Sequence, residues 1–149
     1  MLWVKTFFGI LFQTILLGIF LYLPALTLNW SDAFLFLTIH FLITILASVY
    51  LLIVKPESIE ARMNYDSKTQ PKEDRLATTL MFSAIIVGLS LAPIDIFHLN
   101  LSSSFEGSIK NIGLAIYIIG MLLFMASINA NEFAETTVNI QEERGQKVI

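Results

Sequence analysis

Long apolar blocks alternate with short polar ones along this chain. Between residues 2 and 28 the only charged side chain is Lys5, and 33–54, 76–94 and 111–131 hold none. These four blocks are about 19 to 27 residues long. A helix rising 1.5 Å per residue needs roughly 20 to cross the hydrocarbon core. Lipid offers no partner to exposed backbone amides, so each block is expected to be helical. The pattern predicts an all-α polytopic membrane protein, a single membrane domain over 1–149. Its four transmembrane helices lie at about 2–28, 33–54, 76–94 and 111–131, and a polar tail covers 132–149.

The polar connections give the topology. Asn29-Trp30-Ser31-Asp32 is a tight turn, with Ser31 expected to cap the second helix and Asp32 in its first turn. The middle connection carries Lys55, Arg62, Lys68, Lys72 and Arg75, whereas the Ser/Asn-rich loop read over 95–110 has only Lys110. With Lys5, Arg144 and Lys147, eight Lys/Arg fall on the side of the termini and one on the other. The positive-inside rule therefore places both termini and the middle loop in the cytoplasm. Within that loop, Pro56 suits the first turn of a helix, Glu57 and Glu60 suit its positive end, and Ile59 and Met63 share a face. This predicts a short interfacial helix between the second and third spans.

Composition agrees. The chain is 56% hydrophobic and 14% charged, against about 25% charged for a soluble domain, and its mean hydropathy is +0.74. A net charge of −3 gives no general affinity for nucleic acid. With no cysteine there are no disulfides, thiolate metal sites or cysteine nucleophiles. The first apolar run exceeds the roughly 7–15 residues of a secretory h-region, and Pro24-Ala25-Leu26 is no cleavage site, so it reads as a retained helix.

Few residues offer chemistry. His40 is the ionisable side chain well inside a span, and with Thr44 and Ser48 it forms an i, i+4, i+8 polar stripe. Such a residue marks either function or a neutral imidazole hydrogen-bonded to a neighbouring helix. His98 falls in the outer loop, about 12 Å above His40 along the helix axis, which argues against a shared haem. Gly88-Leu89-Ser90-Leu91-Ala92 nearly matches a nucleophile elbow, but it lies mid-span where no strand-turn-helix can form. No carboxylate lies within a span, which argues against proton-coupled exchange. Gly113, Gly120 and Ser127, and Ala84, Gly88 and Ala92, form small-residue faces suited to helix packing in one small bundle. No catalytic, cofactor-binding or metal-binding residue is assigned from the sequence.

The segments "KPESIEARM", "PKEDR", Asp95 and "NEFAETTVNIQEERGQKV" occur in an order that resembles bacterial relatives of the isoprenylcysteine carboxyl methyltransferases. Pro56, Glu57 and Arg62 match that family's P-E-x-x-x-x-R, and Lys72 and Asp74 its K-x-D. Asn131, Phe133, Val138, Ile140, Gln141, Gly145 and Val148 match its segment after the fourth helix. Ala134, Asn139 and Gln146 depart from it, and no Arg or Trp follows Asp95 as the family has it. The resemblance implies methyl transfer from S-adenosylmethionine to a lipophilic acceptor in a bacterial inner membrane. It also implies that the family's cofactor-binding segment lies beyond the matched tail. The expectation is therefore an N-terminal membrane portion that is inactive by itself. The alternative is a small non-enzymatic multi-pass protein acting through helix association.

Overall fold

The computed structural model describes residues 1–63, 72–101 and 107–130. The tail over 132–149 and its matched residues, with Asn131, lie outside the described residues, as does Lys68. The described residues form α1 (Leu2–Ala25), α2 (Ser31–Val54), α3 (Pro56–Met63), α4 (Lys72–Ile94) and α5 (Gly107–Ala130). A π-helical turn, Asp95–Leu99, extends α4. Four helical segments are long and apolar enough to cross a membrane, with mean hydropathies of 2.0 to 2.4. The chain is an all-α, multi-pass membrane protein.

The helix ends differ from expectation for local reasons. α1 stops at Ala25, short of residue 28, because Leu26 turns left-handed at φ 54° and its N–H bonds back to Tyr22 and Leu23 carbonyls. That conformation is uncommon for a residue with a Cβ. Ser31 is the first residue of α2 and not its cap; the N-cap is Trp30, whose extended backbone carbonyl accepts from Phe34 N–H. At the other end of α4, Pro93 has no N–H to bond back along the helix. The next turn widens, and Asn100 N–H reaches the Asp95 carbonyl at 2.7 Å, five residues back. So 95–99 is helical, and α5 begins at Gly107, before residue 111.

The helices pack as an open row, α4–α1–α2–α5, and not as a closed bundle. In α1 and α2, 17% of the most apolar window is buried, against 6% for the two outer spans. The glycines of the small-residue faces accordingly make no close helix contact: a Cβ added at Gly88, Gly113 or Gly120 would meet no atom within 4 Å. The glycine that does approach a neighbour is Gly18 on α1, whose added Cβ would lie 3.6 Å from Leu37.

Consecutive spans are antiparallel, so Met1 and the end of α5 share one end. There Leu51, Leu52, Ile59 and Ile128 form a buried cluster, with Leu2 packed on it. α3 is the expected short helix, and it docks by Ser58 and Ile59, 3% and 8% exposed. Leu51→Ala should lower stability by about 2 kcal/mol or more, because it opens a cavity where three helices meet. Gly113→Leu and Gly120→Leu should not lower it, because a Cβ there meets no neighbour and leucine is the better helix former. Unfolding of the purified variants in one detergent measures both.

Candidate functional site

α2 and α5 are joined at three depths. At the end away from α3, Lys110 Nζ pairs with Asp32 Oδ2 at 2.5 Å, both side chains half exposed. Mid-span, His40 Nδ1 and Tyr117 Oη share a hydrogen bond of 2.5 Å. Near α3, Lys55 Nζ donates to the Asn129 carbonyl at 2.5 Å. Heptad spacing puts Lys110 and Tyr117 on one face of α5, and Asp32, Phe36 and His40 recur every four residues on α2. Phe36 lies against the Tyr117 ring at a centroid distance of 4.9 Å and stacks with the His40 ring at 6.3 Å.

The His40 bond goes to a neighbouring helix, as the second reading of this residue anticipated. His40 is only 5% exposed, and its Nε2 and the Thr44 hydroxyl one turn on are buried with no partner among the described residues. Other span hydroxyls are absorbed locally: Thr14, Thr38 and Thr79 donate to carbonyls four residues back. Ser90, the serine of the elbow-like stretch, is helical and reaches the Phe20 carbonyl of α1 at 3.5 Å. It has no nucleophile geometry.

A groove of about 580 Å³ opens between α2, α5 and the π-helical turn. Leu35, Phe36, Ile96 and Leu114 wall it, Asp32 and Lys110 flank its mouth, and Tyr117 lies deepest along α5. A second hollow, about 520 Å³ beside Ile15, Gly18 and Tyr22, is an open trough on α1 with no Asp, Glu, Lys, Arg or His in its lining.

His98 is not in a loop but in the π-helical turn, where its Nε2 donates to the Pro24 carbonyl at 2.7 Å. The two histidines thus serve separate contacts. No group of three or more metal-ligating side chains occurs among the described residues. The end beside α3 offers a hollow of about 140 Å³ lined by Leu2, Lys5, Glu60 and Met63. That hollow by itself is smaller than the roughly 300 Å³ at which small-molecule sites begin. Comparison with family models, curated proteins and solved structures finds no match for the chain.

Sequence reasoning singled out His40 but not Tyr117, Asp32 or Lys110 as its companions. Tyr117 is the one tyrosine in the fourth apolar block, and a lone phenol in a span is a signal that it meets a polar group on another helix. Removing the hydroxyl with Tyr117→Phe leaves His40 Nδ1 buried without its bond. A double-mutant cycle with His40→Phe should give a coupling of about 0.6–1.7 kcal/mol, measured as stability in detergent.

Proposed function

We propose that the chain corresponds to the N-terminal membrane portion of an isoprenylcysteine carboxyl methyltransferase-like protein, seated in a bacterial inner membrane with both termini cytoplasmic. A complete relative would move a methyl group from S-adenosylmethionine to a lipophilic acceptor; this portion anchors the protein and helps hold that acceptor. One observation carries the reading. α3, with the matched Pro56, Glu57 and Arg62, is docked beside the last turn of α5, from which the matched tail departs. Segments about 70 residues apart in sequence, which the resemblance pairs, start from one end of the molecule. Lys5, Lys55 and Arg62 gather at that same end, as a cytoplasmic face requires.

The open faces at Gly88, Gly113 and Gly120 favour a second reading, a non-enzymatic protein that associates with partners in the bilayer. In that case Gly113→Leu and Gly120→Leu would lose a crosslinked oligomer while keeping their stability.

Two measurements test the first reading. Because the chain has no cysteine, single-cysteine variants report topology cleanly. Asn100→Cys should react with an impermeant thiol reagent in intact cells, and Glu60→Cys only after permeabilisation. The reverse pattern would overturn the orientation. A photoreactive prenylcysteine acid should label residues on α3 and the last turn of α5 in bilayers, with competition by excess unlabelled acid. Labelling that excess acid leaves unchanged would count against a lipophilic acceptor at this end.

A further inference from the structure

The groove opens at the end opposite α3, so it stands apart from the reading above. Its mouth carries one charge of each sign on different helices, Asp32 from α2 and Lys110 from α5. Neither group is saturated by the other. Lysine has three N–H donors and a carboxylate two oxygens, so the pair can keep its bond and each member can take a second partner. Both side chains are half exposed, which keeps the cost of rearranging them small. Trp30 lines the same mouth, held edge-on by Tyr22 and Phe97 at centroid distances of 6.3 and 5.4 Å. Indole is the strongest aromatic partner for an ammonium group, and tryptophan favours the depth of lipid headgroups. Below the mouth the walls turn apolar and continue to Tyr117.

We infer that the α2–α5 groove is a headgroup-selective site for a zwitterionic phospholipid. The phosphate lies against Lys110, the ammonium lies between Asp32 and Trp30, and one acyl chain runs down past Leu35, Phe36 and Leu114. Charge complementarity selects this occupant. An anionic lipid gains Lys110 but meets the Asp32 carboxylate, and an uncharged lipid gains neither charge. Lys110 is the one Lys or Arg over 29–32 and 95–110, so no polybasic field masks the choice.

The test uses the full chain in bilayers. Trp3 is half exposed at the far end of α1, so Trp3→Phe leaves Trp30 as the sole fluorescent tryptophan. Lipids brominated on the acyl chain are then titrated in as phosphatidylethanolamine, phosphatidylglycerol or diacylglycerol. Quenching by the zwitterionic lipid should half-saturate at a roughly threefold lower mole fraction than by the other two, and Asp32→Asn should remove its advantage over phosphatidylglycerol. Equal quenching by all three lipids would overturn the proposal, as would a preference that survives Asp32→Asn. If that variant does not fold, the comparison of headgroups in the Trp3→Phe chain decides alone.

Discussion

Hydrocarbon gives a peptide group nothing to bond to, and this constraint shapes every element of the molecule. It drives each apolar block into a helix that satisfies itself internally. It also leaves little to hold helices together, because lipid tails are as apolar as leucine. The few polar contacts between spans therefore weigh heavily. Ser90 to the Phe20 carbonyl joins α4 to α1, and His40 to Tyr117 joins α2 to α5. Most of the remaining surface of α4 and α5 is apolar and exposed, as befits helices that face lipid.

The last turn of a helix exposes carbonyls that a nearby base often satisfies. Neither α1 nor α5 has a basic residue in its last turn. In both the partner comes from another helix: His98 serves the Pro24 carbonyl, and Lys55 serves that of Asn129. At α1 this tertiary bond adds to the local one, in which Leu26 N–H reaches the Tyr22 and Leu23 carbonyls. The sequence bounds the first span by its charges and so runs it to residue 28, past the Leu26 turn that ends α1.

What the sequence made legible follows the same division. The helical blocks could be read because hydrophobicity and length determine them, and Pro56 and Glu57 placed α3 because a helix start has local chemistry. The order of packing could not be read, since α4–α1–α2–α5 depends on pairwise fits that a hydropathy pattern does not encode. The glycine faces of α4 and α5 looked like seams, yet the approach that occurs is at Gly18. The π-helical turn after Pro93 resembled a polar loop because Asp95, His98 and Asn100 are polar. Their groups are spent on the backbone: Asp95 Oδ1 accepts from Leu101 N–H, and Asn100 closes the turn at φ 50°. At the candidate site His40 stood out as a buried ionisable group, whereas its partner lies 77 positions away, a separation no local pattern spans.

The three links between α2 and α5 have a mechanical consequence. Asp32–Lys110, His40–Tyr117 and Lys55–Asn129 act at the top, middle and bottom of one seam. A rod fastened at a single point can slide and swivel; one fastened at three heights keeps its vertical setting and its azimuth. α5 is such a rod, though its flanks carry little other packing. Whatever is attached after Ala130 therefore inherits a launch point indexed to α2, and a shift at the distal fastening would be transmitted along some 24 residues of stiff helix.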